Sequence, residues 1–166
     1  MNQLFGFMVH QDKKTGIMYT DLTGNFTVRS IDGYTCFFVL YNWTTNAILA
    51  TPMKDAKDDS MIRAFKENME HLGDRGFKLS FNIINNVASK AIRAYLKKEK
   101  VEIQLAEPHN HRVNAAERTI RTFKNHFIAG LCIGDRNSPT ILWSKLVNQA
   151  VRSRNMLRTS RVHPTF

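Results

Sequence analysis

The sequence of 166 residues predicts an α/β domain with a five-stranded mixed sheet flanked by helices. Three short strand-like segments come first, separated only by turns. Two further strand patterns each follow a helical pattern, and a long amphipathic helix comes after the last of them. Strands joined by short turns pair antiparallel, whereas strands separated by helices require crossovers and run parallel. We therefore expect three antiparallel strands and then two parallel ones.

The first three strands are predicted at Ile17–Leu22, 34–41 and 46–52. The second segment is almost continuously apolar, which is typical of a strand buried on both faces. Asp21 stands out, because a carboxylate within a strand is unfavourable unless its charge is used. The residues before this strand, 1–16, are interpreted as a lead-in segment, and the domain is placed at 17–166.

A first helix is predicted to begin at Asp58 or Asp59, either of which could cap it, and to end at Gly73 and Gly76. Its apolar residues recur at helical spacing and are expected to face the core: Met61, Ile62, Phe65, Met69 and Leu72.

A fourth strand is predicted from Phe77 to the polar end at 84–86, with Asn82 on a polar face. A second helix over 88–98 and a fifth strand over 101–105 follow. The inward residues of this helix are predicted to be Ala88, Ala91, Ile92, Tyr95 and Leu96.

The third helix carries an apolar stripe that is expected to face the core. The stripe comprises Ala116, Ile120, Phe123, Phe127 and Leu131. A second face of the same helix places Glu117 beside Arg121 and Lys124. Most such charged rows are solvated salt-bridge rows, and this simpler interpretation stays open. A last helix is predicted over 139–158, and we expect the domain to be truncated at its C-terminal end.

The charge balance favours a polyanionic partner. The chain has 24 Lys and Arg against 14 Asp and Glu, a net charge of +10, and a pI near 9.9. Such a surplus suits nucleic acid, since cations neutralise phosphates and release counterions. Cys36 and Cys132 are predicted to be buried thiols in a reducing compartment. No apolar run approaches the roughly 20 residues of a membrane span, and no signal peptide is evident. We expect an intracellular protein that is neither secreted nor membrane-bound.

These elements together resemble the integrase core of retroviruses and retrotransposons, an RNase H-like fold. The resemblance is to integrases of Ty1/copia-type retrotransposon polyproteins and covers about 19–164. Residues 108–121, PHNHRVNAAERTIR, are similar to the family's loop-and-helix motif, in which polar residues and an Asn precede Glu-Arg. Residues 20–24, TDLTG, resemble the motif of the first Asp. Leu142 and Trp143 resemble the start of the trailing helix.

The resemblance implies a metal-dependent polynucleotidyl transferase that performs 3′-processing and strand transfer in DNA integration. In that family two Asp and one Glu bind two divalent ions, usually Mg²⁺ and otherwise Mn²⁺, for in-line phosphoryl transfer. Asp21 matches the first carboxylate and Glu117 the third, so both are implied catalytic residues and metal ligands. The resemblance also implies DNA as the partner, a homo-oligomer, and a nuclear location in a eukaryote.

The second carboxylate position departs from the family pattern. Where the family has LDNEAS or a close variant, residues 84–89 of this chain read INNVAS, which puts Asn85 in the place of the second Asp. An amide is neutral and offers a metal one oxygen where a carboxylate offers two. Our hypothesis is that this domain folds as an integrase core but is catalytically impaired.

The basic motif around Glu117 supplies the predicted nucleic-acid contacts. These are Asn110, His111, Arg112, Asn114, Arg118, Arg121 and Lys124. Phosphate contacts of this kind position a duplex without specifying its sequence.

Several alternatives stay open on the sequence. The domain could be a non-catalytic, nucleic-acid-binding remnant of a retrotransposon polyprotein, or a structural or pseudogene-derived product with an incidental basic surface. Another RNase H-like nuclease is a minor competitor. The family's zinc-binding module is not matched upstream, where His10 is the only zinc-type ligand, so we expect an isolated core or a fragment.

Overall fold

The computed structural model describes residues 16–84, 88–105, 115–134 and 137–159. Five strands, four α-helices and one 3₁₀ segment occur within these ranges. In chain order they are β1 (Ile17–Leu22), β2 (Cys36–Asn42), β3 (Ile48–Met53), α1 (Asp58–Gly73), β4 (Phe81–Ile84), α2 (Lys90–Lys98), β5 (Glu102–Leu105), α3 (Ala115–Ile133), the 3₁₀ segment (Thr140–Leu146) and α4 (Val147–Met156).

The strands form one sheet in the order β3-β2-β1-β4-β5. The pairs β1 with β2 and β2 with β3 are antiparallel, and Asp21 lies opposite Val39. The pairs β1 with β4 and β4 with β5 are parallel, and Thr20 lies opposite Ile84. The predicted mixed sheet of three antiparallel and two parallel strands is therefore confirmed.

Helices cover both faces of the sheet, and β2 is buried along its whole length. Successive residues of a strand point to opposite faces. Phe38 and Leu40 accordingly pack with α1 and α2, in a core that includes Phe65. Phe37 and Val39 pack on the other side with α3, the 3₁₀ segment and α4. The continuous apolar run of β2 reflects this burial from both sides.

The predicted polar face of β4 is wrong. The strand begins at Phe81 rather than Phe77, and Asn82 is fully buried. The Thr20 hydroxyl donates a hydrogen bond of 3.1 Å to Asn82 Oδ1. The reason is that β4 lies between β1 and β5 with helices on both faces, so a polar side chain there must find a partner inside the protein.

Two predicted details of α1 and α2 are also wrong. Lys57 occupies the N-cap position of α1 without a side-chain hydrogen bond, and Asp58 and Asp59 lie in the first turn instead. Acidic residues there still interact favourably with the helix dipole. In α2, Ser89 caps the helix by accepting a hydrogen bond from Ile92 N–H at 3.2 Å, and Ala91 is exposed rather than inward.

The predicted last helix is divided into the 3₁₀ segment and α4. Pro139 precedes the segment with extended backbone. Trp143 is buried, and its Nε1–H donates to the Val28 carbonyl at 2.9 Å, which ties the segment to the β1–β2 loop. Of the two thiols, Cys36 is buried as predicted, and burial raises its pKa, whereas Cys132 is exposed, because it lies outside the inward stripe of α3.

Candidate active site and nucleic-acid interface

Asp21 lies at the carboxyl end of β1, on the side of the sheet that α3 covers. Strand alternation puts its side chain on the same face as that of Tyr19, which packs into the α3 core. Asp21 is partly buried, and its Oδ1 accepts a hydrogen bond of 2.8 Å from Leu22 N–H. The carboxylate is therefore held at the strand end rather than within the apolar core.

Glu117 lies in the first turn of α3, and aromatic packing fixes this helix against the sheet. Phe123 and Phe127 meet Phe37 of β2 edge to face, with ring centroids 5.9 and 5.1 Å apart. Such contacts prefer this geometry and stabilise beyond area burial alone. Ile120, one turn after Glu117, is also buried. The predicted inward stripe is confirmed for its described members, and the carboxylates of β1 and α3 belong to the same side of the sheet.

Five of the predicted site residues lie outside the described residues. They are Asn85, Asn110, His111, Arg112 and Asn114. The described strands nevertheless give the register of β1 against β4. Thr20 lies opposite Ile84 in parallel register, and in the sequence Asp21 follows Thr20 as Asn85 follows Ile84.

The chemistry of the predicted donor set does not fit two divalent ions. Within the described ranges, no group of three or more His, Cys, Asp or Glu side chains is placed to hold a metal. Asp21 and Glu117 supply two carboxylates, and the predicted third member of the set, Asn85, would supply only a neutral amide oxygen. Mg²⁺ is a hard cation that prefers charged oxygen ligands. Two carboxylates leave half of the charge of two such ions uncompensated.

The predicted basic residues of α3 differ in their surroundings. Arg118 and Arg121 are exposed. Lys124 is partly buried, and its ammonium group lies 5.7 Å from the centre of the Phe26 ring. A cation over an aromatic face is held by the ring quadrupole. The arginines are thus open to a polyanion, whereas Lys124 is partly engaged within the protein.

Phe26 was not found by sequence reasoning, although it supports this helix face. It belongs to the β1–β2 loop and packs against Phe37 and Trp143, with centroid distances of 4.9 and 5.0 Å. The available signal was an aromatic residue directly after Gly24 and Asn25, in a turn where polar residues prevail. The loop is consequently anchored next to α3.

Among the helices that the structure describes, none has the length and apolar character needed to cross a membrane. Comparison with known protein families finds no matching family, and comparison with curated proteins finds no matching sequence.

Solved structures of retroviral integrases share the fold. A chain of the simian T-cell lymphotropic virus intasome, solved in complex with PP2A regulatory subunit B56 gamma, is 18% identical with a TM-score of 0.71; the match covers 87% of this chain and 50% of that one. The HTLV-2 integrase catalytic core domain in complex with magnesium, in its dimeric form, is 19% identical with a TM-score of 0.66, and 89% and 92% of the two chains are covered.

The catalytic core domain of BIV integrase is 13% identical with a TM-score of 0.64, over 88% of this chain and 87% of that one. This chain thus spans half of the simian virus chain but most of each isolated core domain. The strand order and these neighbours agree on one architecture. The chain has the RNase H-like α/β fold of retroviral integrase catalytic cores.

Proposed function

We propose that the chain is an integrase-core-like domain that binds DNA, from a Ty1/copia-type retrotransposon polyprotein, with an incomplete set of catalytic carboxylates. One observation carries the proposal: in an integrase-core fold, Asp21 and Glu117 belong to the same side of the sheet, as a shared site requires. Asn85 directly follows β4, the strand that pairs with β1 beside Asp21.

The charge distribution supports DNA as the partner. Arg118 and Arg121 project from α3 into solvent near its N-terminal end, and the whole chain carries a net charge of +10. Arginine binds phosphate through a planar, always charged group with several N–H donors. Phosphate contacts from this helix would place a DNA backbone next to Glu117.

The neutral Asn85 argues against full activity. The HTLV-2 core domain is in complex with magnesium, which supports Mg²⁺ or Mn²⁺ as the ion for this fold. A site with two carboxylates and one amide binds such ions weakly, because one of the charged oxygen ligands is missing. We infer that 3′-processing and strand transfer are slow or absent in the native chain.

Two further properties belong to the same proposal. The HTLV-2 core domain occurs in dimeric and trimeric forms, which supports a homo-oligomer here. A DNA-integrating domain would act in the nucleus of a eukaryotic host.

The alternative is a purely non-catalytic nucleic-acid-binding remnant of the polyprotein. The same exposed arginines favour it, since they need no metal to bind phosphate. Nicking of DNA that depends on a divalent ion separates the two functions, because only the enzymatic one requires the ion.

The experiment is a DNA-binding titration by fluorescence anisotropy at several salt concentrations. We expect the logarithm of the affinity to fall linearly with the logarithm of the salt concentration, by about 0.9 per neutralised phosphate. No binding, or binding that is insensitive to salt, would contradict a phosphate-contacting domain and leave the basic surface incidental.

A further inference from the structure

Strand β3 forms one outer edge of the sheet, because among the described residues it pairs only with β2. The edge of such a strand presents backbone N–H and C=O groups that can pair with a strand of another chain. Proteins commonly guard an edge with charged side chains or with proline. The sequence of β3, ILATPM, contains no charged residue, and its one proline is Pro52, near the end of the strand. The beginning of this edge therefore needs another form of protection.

Asn155, in the last turn of α4, covers the edge where β3 begins. Its Oδ1 accepts a hydrogen bond of 2.9 Å from Ile48 N–H, and its Nδ2 donates one of 2.7 Å to the Ile48 carbonyl. In an antiparallel sheet, a residue of the neighbouring strand makes the same two bonds with the residue opposite it. The side-chain amide of Asn155 thus takes the place of a further strand at Ile48.

Arg158, just after α4, holds the turn that leads into β3. Its Nε–H donates to the Asn46 carbonyl at 2.6 Å, and its guanidinium group also donates to Asn46 Oδ1. The same oxygen accepts from the Tyr41 hydroxyl at 2.9 Å, and the guanidinium group lies 5.3 Å from the centre of the Tyr41 ring. In return, Asn46 Nδ2 donates to the Thr159 carbonyl at 2.9 Å. The turn and the end of α4 are therefore tied in both directions.

The two ends of α4 are held on the sheet by different kinds of contact. At its start, Val147 is only 1% exposed and packs in the aromatic core. At its end, Met156 and Leu157 are 86% and 73% exposed, so the polar contacts of Asn155 and Arg158 hold this end in place of apolar burial. An element held by few buried apolar contacts opens locally at a lower free energy than the core. The end of α4 is therefore able to leave the edge of β3 while the rest of the domain stays folded.

We propose that Asn155 and Arg158 form a latch that keeps the edge of β3 closed, and that a second copy of this chain pairs with β3 when the latch opens. The first three residues of the strand are apolar, and without a covering group such an edge favours pairing with another strand. A second copy fits this edge because it presents the same strand, and two identical strands pair antiparallel about a twofold axis. The latch acts at the edge of the sheet and does not depend on DNA binding by α3.

The test combines amide hydrogen exchange with sedimentation velocity, on the native chain and on Asn155→Ala. At low protein concentration, we expect the Ile48 amide of the variant to exchange about tenfold faster than in the native chain, because it has lost its acceptor. As the concentration rises, the variant should form larger species than the native chain does, and its Ile48 amide should become protected again. Protection that returns with association would place the contact between two copies at the edge of β3.

Asn148→Ala is the matched control, because Asn148 is exposed on the same helix and loses the same amide group. It should leave both the exchange of the Ile48 amide and the sedimentation as they are in the native chain. Arg158→Gln opens the latch without changing Asn155, so it keeps the proposal testable if Asn155→Ala does not fold. An Ile48 amide that exchanges at the native rate in both latch variants would overturn the proposal. Association no greater than that of the native chain, or association that leaves the Ile48 amide unprotected, would do the same.

Discussion

The hydrophobic cores on the two faces of the sheet differ in their residue types. The face covered by α1 and α2 has an aliphatic and methionine-rich core, within which the buried pair Thr20 and Asn82 makes a hydrogen bond. The face covered by α3 and α4 is aromatic, with Phe37 in contact with Phe127 and Trp143. Aromatic rings meet at defined angles, so this face fixes the position of α3. If the proposed site exists, the α3 face is the one that positions it, and the other face mainly stabilises the sheet.

The largest effects are expected from truncating one buried phenylalanine on each face of the sheet. Phe127 and Phe65 are both fully or nearly fully buried. Phe127→Ala and Phe65→Ala should each lower the free energy of unfolding by about 3–5 kcal/mol, measured by urea denaturation. Only Phe127→Ala should also weaken DNA binding by the folded protein, because Phe127 packs α3 against the sheet whereas Phe65 lies on the opposite face. An equal loss of DNA affinity in both variants would contradict the division of roles.

Disrupting the buried hydrogen bond between Thr20 and Asn82, on the α1 side, should lower the free energy of unfolding by less. Thr20→Val leaves Asn82 Oδ1 without its donor in a fully buried position, and Asn82 Nδ2 already has no partner among the described residues. We expect a loss of about 1–3 kcal/mol in the free energy of unfolding. The double variant Thr20→Val with Asn82→Leu should recover most of this loss, because both polar groups are removed. Additive losses in the double-mutant cycle would show that the pair is not coupled.

Arginines on the two faces should differ in DNA binding rather than in stability. Arg118→Gln and Arg121→Gln should each reduce the salt dependence of DNA binding by about one unit of log-log slope, with a modest loss of affinity. Arg63→Gln, an exposed arginine of α1, carries the same charge change on the opposite side of the sheet. Its slope should stay that of the native chain. If all three variants give the same slope, the interface is not on α3.

The smallest effect concerns Asp32, which ties the β1–β2 loop to the 3₁₀ segment. Hydrogen bonds from Lys145 and Ser144, each of 2.8 Å, lower the pKa of Asp32 below its ordinary value of 3.8. A carboxylate with a lowered folded pKa stabilises the fold above its unfolded pKa and loses this contribution as the pH falls through its folded pKa. Asp32→Asn should therefore reduce the loss of stability on acidification below pH 3.8, measured by urea unfolding on either side of that pH.

Asp55 on the α1 side allows the matched comparison. Its pKa is also lowered, chiefly by a hydrogen bond from the Ser60 hydroxyl at 2.7 Å. Asp55→Asn should likewise reduce the loss of folding stability on acidification below pH 3.8. Only Asp32→Asn should loosen the loop that carries Phe26, which proteolysis of the native protein would detect. Equal cleavage of both variants would contradict that local role.

Much of the fold follows from apolar periodicity. The stripe of α3 and the continuous run of β2 predicted their burial, because each pattern repeats at the spacing of its own element. Asn82 misled the prediction, since its partner Thr20 is distant in the sequence and only the sheet brings them together. The exposure of Cys132 and the division at Leu146 likewise depend on packing that local composition does not encode.

The candidate site was also predicted only in part. Asp21 and Glu117 were predicted through a family resemblance that depends on short motifs, and the fold places both on the α3 side of the sheet. The contact between Lys124 and Phe26, and the hydrogen bond from the Thr51 hydroxyl to the buried amide of Asn68, were not predicted. Each arises from contacts between elements far apart in the chain, which periodicity cannot reveal.

The most direct test of the account compares the native chain with Asn85→Asp in DNA nicking and strand transfer, with Mg²⁺ and with Mn²⁺. The substitution would place a negative charge at the position that the family resemblance assigns to the second Asp. We expect the variant to gain activity that depends on the divalent ion, while the native chain stays near background with unchanged DNA binding. A native rate that equals the rate of Asn85→Asp would contradict an incomplete active site.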